Sequence, residues 1–208
     1  METKIIPSVI AKSQKELVEK IEKVMDFVDY IHLDIMDGAF VPNESLKFDF
    51  RIPEELNFEA HLMLQNPDKW VEQNWQKVER ILIPIESCKH PKELIEFLKD
   101  KKEVGFVLNP ETELESIKKH LDQINQVLIM TVKPGFYGSE FLPETLEKVR
   151  DLRKLRPSLD IEVDGGINPE TIKKAKGAGA NLFVSGSYIM KSENAKDAFN
   201  NLWQALKN

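Results

Sequence analysis

Short apolar segments recur along the chain at intervals of about 20 to 30 residues, and charged stretches with helical periodicity separate most of them. The apolar segments predict eight strands, at residues 4–10, 30–34, 57–63, 80–85, 103–108, 126–131, 160–163 and 182–185. The stretches between them predict helices at residues 14–26, 67–78, 91–99, 112–120, 143–153, 169–176 and 194–206, several of which begin with a proline. Segment 38–55 has little helical periodicity, and we expect a loop there.

Apolar strands that alternate with amphipathic helices are typical of a parallel sheet covered by helices. Eight such units in 208 residues favour closure into a single (β/α)8 TIM barrel, and an open, doubly wound sheet is the alternative. Neither a linker nor a low-complexity tract nor a sequence repeat divides the chain. We therefore expect residues 1–208 to form one α/β barrel domain.

Composition and charge narrow the range of partners. Hydrophobic residues make up 41% of the chain, charged residues make up 31%, and the net charge is −6, so we expect neither a nucleic-acid partner nor a membrane surface. No apolar run approaches the roughly 20 residues that span a bilayer. The single cysteine, Cys88, cannot form an internal disulfide, and the N-terminal residues lack the apolar stretch of a signal peptide. The cytoplasm is therefore the expected location.

Polar residues interrupt the predicted strands near their carboxyl ends, where TIM barrels carry their chemistry. Alternation along the second strand places His32, Asp34 and Met36 on one face, which would be the barrel interior. The third and seventh strands contribute His61 and Asp164. Two imidazoles and two carboxylates form a ligand set suited to Zn²⁺, Mn²⁺, Fe²⁺ or Co²⁺.

Each of these residues alone has a structural interpretation, because a single His or Asp near a strand end is commonly a hydrogen-bonded group or a helix cap. Two histidines and two aspartates at three strand ends favour the functional interpretation, since each inward charge needs a partner in a low-dielectric core. Glu162 shares the parity of Asp164 and is expected to point inward one layer deeper, in a structural role.

Glycine-rich segments follow the last three predicted strands. Glycines let backbone N–H groups approach an anion closely, and the loops after strands seven and eight form the usual phosphate site of barrels. We therefore expect these loops to bind a phosphate group. Methionines at strand ends are either an apolar wall of the reaction site or ordinary core residues. The residues concerned are Gly135 and Gly138, Gly165 and Gly166, Gly186 and Ser187, and the methionines Met36, Met63 and Met130.

With those residues identified, the sequence resembles the ribulose-phosphate 3-epimerases, from residues 7–8 to residues 185–187. The most specific motifs are HLDIMDGAFVPN at 32–43, HLM at 61–63, MTVKPGF at 130–136 and VDGGI at 163–167. The resemblance implies metal-dependent epimerisation at C3 of a ketose phosphate. Its leading form converts D-ribulose 5-phosphate to D-xylulose 5-phosphate in the pentose phosphate pathway. It also implies one divalent metal ion and a homo-oligomer.

The resemblance also implies roles for individual residues. The metal ligands of the family fall on His32, Asp34, His61 and Asp164, and Asp34 and Asp164 would act as acid and base on opposite faces of C3. Removing the C3 proton leaves an enediolate, whose negative oxygens the metal would stabilise. The substrate-binding residues implied are Ser8, the three methionines Met36, Met63 and Met130, and, near the phosphate, Gly135, Gly138, Gly165, Gly166, Gly186 and Ser187.

The sequence departs from the family pattern at a few positions. Pro84 stands where a histidine is usual, Tyr137 replaces a glycine of the phosphate loop, and Glu140 adds a negative charge near it, which Lys133 could offset. These departures keep two alternatives open. One is an epimerase of the six-carbon allulose 6-phosphate, and the other is a phosphosugar-binding barrel without catalysis.

Overall fold

A computed structural model of the protein describes residues 1–135 and 138–207. Within them the chain forms strands that match the predicted apolar segments closely. The strands are β1 Lys4–Val9, β2 Tyr30–Asp37, β3 Glu44–Ser45, β4 Asn57–Met63, β5 Arg80–Pro84, β6 Glu103–Leu108, β7 Gln126–Met130, β8 Asp160–Asp164 and β9 Leu182–Ser185.

Helices connect most of these strands. The α-helices are α1 Gln14–Glu22, α2 Pro67–Asn74, α3 Pro91–Leu98, α4 Leu146–Leu155, α5 Thr171–Ala178, α6 Ser187–Met190 and α7 Ala195–Lys207. Short 3₁₀ helices occupy Trp75–Lys77, Leu114–Ser116, Lys118–His120 and Pro143–Thr145. None of the helices in the described ranges is long and apolar enough to cross a membrane.

The strands close into a barrel. In the described residues the sheet order is β1-β9-β8-β7-β6-β5-β4-β2, all parallel, and pairing of β1 with β2 completes the circle. The short β3 pairs antiparallel with the carboxyl end of β2, outside the circle. The prediction of a single (β/α)8 TIM barrel is therefore confirmed, and the open doubly wound sheet is wrong.

Local sequence signals explain where several helices begin and end. The Ser13 hydroxyl accepts a hydrogen bond from the backbone N–H of Glu16 at the start of α1. Prolines occupy the first turn of α2 and α3, where no backbone N–H partner is lost. Helix α5 ends at Gly179, whose φ of 116° is in the left-handed region that a glycine adopts without strain.

The core has two parts, as the alternation of strand residues requires. Outward-facing residues such as Leu33, Phe106 and Val163 pack against the helices in one large buried cluster. Inward-facing residues, including Leu82, Leu128 and Met130, form a smaller cluster inside the barrel. Burial of the strands on both faces explains why they are nearly continuous in apolar residues, and it places polar inward residues where they need partners.

Three segments differ from the predictions. Residues 112–120 form two 3₁₀ turns instead of an α-helix, because Leu114, Ile117 and His120 recur at a spacing of three, which suits three residues per turn. Segment 38–55 contains the short strand β3 in addition to loop, since the edge of β2 beyond the barrel has free backbone groups to pair. The short helix α6 was not predicted, because four residues carry no readable periodicity.

Candidate metal centre and active site

Four polar side chains converge at the carboxyl ends of three strands. His32 and Asp34 lie on β2, His61 lies on β4, and Asp164 is the last residue of β8. Asp34 is the register partner of His61 on the neighbouring strand. One ligand-capable atom from each of the four residues lies within 4.8 Å of the others. The barrel therefore gathers the four residues that the strand-end pattern had selected.

The distances among these groups are short but are not those of hydrogen bonds. His32 Nε2 lies 3.3 Å from Asp34 Oδ1, His61 Nδ1 lies 3.4 Å from the same oxygen, and His61 Nδ1 lies 3.8 Å from Asp164 Oδ2. The two imidazole rings approach edge to face with centroids 5.4 Å apart. Both rings are fully buried. The four groups thus surround a common point without bonding one another.

The residues present fit a divalent metal ion. Three buried atoms in the cluster have no hydrogen-bond partner among the described residues: His32 Nε2, Asp34 Oδ1 and His61 Nδ1. A buried polar atom without a partner costs about 1–3 kcal/mol, so three at one point require a compensating interaction. Coordination of one cation would satisfy all three, and two imidazoles with two carboxylates suit Zn²⁺, Fe²⁺, Mn²⁺ or Co²⁺.

The two aspartates of the cluster have opposite pKa shifts. Burial, reinforced by the negative charge of Asp34, raises the pKa of Asp164 to about 7. Burial also acts to raise the pKa of Asp34, but the charge and hydrogen bonding of His32 and His61 outweigh it and hold that pKa well below its usual range. One carboxyl can therefore hold a proton at neutral pH while the other is ionised, which is the condition for an acid and base pair.

A pocket of about 590 Å³, partly open to solvent, lies directly above the cluster. Asp34 and Asp164 form part of its lining. The ten residues predicted to bind substrate also line it: Ser8, Met36, Met63, Met130, Gly135, Gly138, Gly165, Gly166, Gly186 and Ser187. The structure thus brings all of them to one site, which is the geometric requirement for their predicted roles.

Comparison with known proteins identifies the family. The model of the ribulose-phosphate 3 epimerase family matches residues 4–190, which is nearly the whole chain. The chain belongs to the ribulose-phosphate 3-epimerase family. It is therefore an enzyme of the isomerase class, and the resemblance inferred from the motifs is confirmed.

Individual relatives agree with this membership. A ribulose-phosphate 3-epimerase of Helicobacter pylori is 37% identical over 213 residues, which cover 96% of each chain. The cytoplasmic isoform of ribulose-phosphate 3-epimerase from Oryza sativa subsp. japonica is 40% identical, over 89% of this chain and 86% of the rice protein. A mutant tryptophan synthase alpha-subunit from Pyrococcus furiosus superimposes over the full length of both chains with a TM-score of 0.72 and 16% identity. At that identity the last comparison concerns the fold alone.

Glycines at the mouth of this epimerase-family barrel are there for steric reasons. Gly165 and Gly166 have φ angles of 116° and 65°. A Cβ on Gly165 would lie 2.4 Å from a methyl of Val132, and one on Gly166 would lie 2.9 Å from Cβ of Phe141. Because neither position accepts a side chain, the chain after β8 stays thin where it lines the pocket.

The departures from the family pattern lie around this pocket. Tyr137 lies outside the residues that the structure describes. Glu140 and Lys133 are exposed. Pro84 is buried at the end of β5, where its carbonyl accepts hydrogen bonds from the backbone and hydroxyl of Ser87. None of these described residues belongs to the metal-binding cluster.

Sequence analysis did not identify every residue near the site. Asn43 and Ser139 line the pocket, and Asn43 closes the longest family motif. Glu59 and Arg80 lie beneath His32. Glu59 could have been found, because strand alternation places it on the same face as His61. Asn43 and Ser139 lie on loops, where no periodicity indicates which way a side chain points.

Glu162 occupies the layer below the cluster, as its parity predicted. Its Oε1 lies 3.6 Å from His32 Nδ1, and its Oε2 accepts a 2.8 Å hydrogen bond from the side-chain amide of Gln126. Burial, with a further contribution from the charge of Glu59, raises the pKa of Glu162 to about 8. Glu162 is therefore protonated at neutral pH, which reduces the negative charge buried in this layer.

Proposed function

We propose that this enzyme interconverts D-ribulose 5-phosphate and D-xylulose 5-phosphate, the epimerisation at C3 that serves the pentose phosphate pathway. The observation that carries the proposal is the pair Asp34 and Asp164, two carboxyl groups with opposite pKa shifts that line one pocket. Membership in the ribulose-phosphate 3-epimerase family supports the substrate. The relatives from Helicobacter pylori and rice carry that activity in their names.

A single divalent ion, Zn²⁺, Fe²⁺, Mn²⁺ or Co²⁺, held by His32, Asp34, His61 and Asp164, would supply positive charge beside the substrate oxygens that become negative during reaction. The three unpartnered buried atoms of the cluster support this assignment. The two histidines act in our proposal only as ligands, and the two aspartates act as ligands and as proton carriers.

Asp34 and Asp164 exchange a proton with C3 from different sides. The strands that carry them, β2 and β8, are separated around the barrel by β1 and β9, so the two carboxyl groups approach a bound substrate from different directions. The ionised carboxylate of Asp34 takes the C3 proton when the C3–H bond breaks, and the carboxyl of Asp164 gives its proton to the opposite face of C3. The configuration is thereby inverted, and the roles exchange in the reverse reaction.

The remaining pocket residues position the sugar and its phosphate. We assign the phosphate to the glycine-rich side, formed by Gly135, Gly138, Gly165, Gly166, Gly186 and Ser187. Met36, Met63 and Met130 form an apolar wall close to the aspartates and would exclude water from the reacting carbon. Ser8 lies beside His32 in the strand register, at the edge of the same pocket.

The test is to incubate metal-loaded enzyme with ribulose 5-phosphate in D₂O and to follow C3 by proton NMR. We expect deuterium at C3 as xylulose 5-phosphate appears, and loss of both signals when a chelator removes the metal. Faster turnover of allulose 6-phosphate would replace the five-carbon substrate with the six-carbon one. Binding of the pentulose phosphate without exchange in metal-loaded protein would leave only the phosphosugar-binding barrel.

We also propose that residues 1–208 act as one catalytic domain, and that the enzyme is a cytoplasmic homo-oligomer. The barrel uses strands from both ends of the chain, since β1 pairs with β9, which supports the single domain. The rice relative, named as a cytoplasmic isoform, supports the location. Analytical ultracentrifugation tests the association, and a single species with the 24.0 kDa mass of one chain would contradict it.

A further inference from the structure

A row of charged residues crosses the barrel interior one layer below the proposed metal site. His32, Glu59, Arg80 and Glu103 are successive register partners on β2, β4, β5 and β6. Register partners on neighbouring parallel strands lie side by side, so the four side chains meet in sequence around the barrel wall. The row begins at a fully buried histidine and ends at Glu103, whose side chain is 49% exposed.

Each neighbouring pair in the row makes a close contact. Glu59 Oε1 lies 2.7 Å from His32 Nδ1, and Glu59 Oε2 accepts a 3.1 Å hydrogen bond from Arg80 Nη1. Arg80 Nε and Nη2 contact Glu103 Oε2 at 2.8 and 2.6 Å. The guanidinium of Arg80 also lies over the Tyr30 ring, 5.4 Å from its centroid. The guanidinium is thereby held between two carboxylates and an aromatic face.

The contact between Glu59 and His32 decides which imidazole nitrogen carries a proton. Arg80 donates to Glu59 and stabilises it as a carboxylate, which can only accept hydrogen bonds. Nδ1 of His32 must therefore be the donor of the 2.7 Å contact. This leaves Nε2, the unpartnered nitrogen beside Asp34, to offer a lone pair. An imidazole binds a metal only through a nitrogen that carries no proton.

We propose that Glu59 and Arg80 are positioning residues that fix the ring orientation and tautomer of His32, and so determine the affinity of the proposed metal site. This inference rests on the proposed function, because it concerns the ion that the four residues are proposed to hold. Arg80 acts through Glu59, and Glu59 acts through His32. Neither residue lines the pocket in which the substrate would lie.

Neither a second metal ion nor simple stabilisation accounts for the row as well. His32, Glu59 and Glu162 also offer atoms within 4.8 Å of one another, but Arg80 already supplies positive charge to Glu59, so a second cation has no charge to balance there. Stability alone does not require the row either, because replacing a buried ion pair with apolar residues of similar volume is often neutral or stabilising.

The replacement Glu59→Gln tests the proposal without a change of shape. Arg80 would hold the amide oxygen, so the amide nitrogen would face His32 Nδ1 and donate to it. Nδ1 must then accept, which moves the proton to Nε2 and removes the lone pair. We expect the affinity for Co²⁺, measured by competition with a chromogenic chelator, to fall about 10- to 100-fold.

The double variant Glu59→Gln/Arg80→Met separates positioning from simple loss of structure. Without Arg80 the amide can turn its oxygen toward Nδ1–H, so we expect Co²⁺ affinity to return to within about 5-fold of wild type. Two purely structural losses would instead add and weaken binding further. As a matched control, Arg153→Met removes an arginine that holds the carbonyls of Gly179 and Leu159 far from His32. It should lower stability and leave Co²⁺ affinity unchanged.

A second readout does not depend on the metal. In ¹⁵N NMR of metal-free protein, His32 Nδ1 should carry a proton in the wild type and none in Glu59→Gln. A protonated Nδ1 in both, or Glu59→Gln with wild-type Co²⁺ affinity, overturns the inference. Absence of Co²⁺ binding by the wild type would overturn the proposed metal site, while the NMR comparison would still decide whether Glu59 sets the tautomer of His32.

Discussion

At the scale of single residues, the site depends on how burial changes the chemistry of ordinary groups. Asp34 and Asp164 are the same residue type, lie in one cluster, and have pKa values displaced in opposite directions. Position relative to the histidines makes the difference, because Asp34 contacts both imidazoles whereas Asp164 contacts His61 alone. The environment thus allows two identical side chains to perform two different tasks.

Replacing either aspartate should therefore abolish epimerisation while the barrel still folds. We expect Asp34→Asn and Asp164→Asn each to lower kcat by at least about 10³-fold, because an amide cannot carry the proton. Proton NMR of C3 exchange measures the rate, and circular dichroism checks the fold. Asp160→Asn, at the opposite end of β8, should retain activity. Near-normal turnover by either active-site variant would rule out the two-aspartate scheme.

Burial also governs Cys88, which lies outside the site. Burial, reinforced by the charge of Asp68, raises the pKa of its thiol to about 12. Since a raised pKa leaves less thiolate at any given pH, about one Cys88 in ten thousand is ionised at pH 8. We expect alkylation by iodoacetamide to accelerate about tenfold per pH unit from pH 8 to 10. Mass spectrometry measures the rate, and a plateau near pH 9 would contradict the shift.

At the scale of elements, the loops after the strands shape the pocket through close packing against one another. The backbone after β8 passes so near Val132 that Gly165 has no space for a methyl group. Likewise, a Cβ on Gly135 would lie 3.0 Å from Cβ of Val41, which belongs to the loop after β2. Contacts between loops from different strands thus fix the pocket walls, and a change in one loop should be felt in the next.

Two glycines in neighbouring elements should respond to alanine in opposite ways. Gly165→Ala combines a φ of 116° with overlap against Val132, so we expect the free energy of unfolding to fall by about 2–4 kcal/mol. Gly177→Ala lies within α5 with open space around it and should raise that free energy by about 0.5–1 kcal/mol. Urea denaturation measures both. A neutral Gly165→Ala would contradict the steric account.

At the scale of the whole molecule, closure of the barrel assembles the site from distant parts of the chain. His32 and Asp164 come from strands on opposite sides of the β1–β2 closure, and both ends of the chain contribute strands to it. A ligand that binds only the closed barrel must therefore stabilise the entire fold. The unpartnered atoms at the centre indicate that a metal ion would be such a ligand.

Removing the metal should lower the stability of the molecule as a whole. With free Zn²⁺ at 100 times its dissociation constant, we expect about 2.7 kcal/mol more free energy of unfolding than in chelator. His61→Ala should lose this increment, because it removes one ligand. His90→Ala, at the exposed start of α3, should keep it. Chemical denaturation at several Zn²⁺ concentrations measures the increment, and no dependence on Zn²⁺ in the wild type would contradict the site.

The sequence by itself determined the class of fold and the main side chains of the site. Strand and helix periods are local properties, and a polar residue that interrupts an apolar strand is visible without coordinates. His32, Asp34, His61 and Asp164 were found in this way, and the structure brings them together. Their functional roles, like those of the pocket residues, stay predictions until the variants are measured.

Only the tertiary structure decided which side chains become neighbours across strands. The register of parallel strands is set by closure of the barrel, so the row from His32 through Glu59 and Arg80 to Glu103 has no signature along the chain. Loop residues such as Asn43 enter the pocket because of packing between loops, which no period encodes. Local periodicity specified the elements, and closure of the barrel specified their contacts.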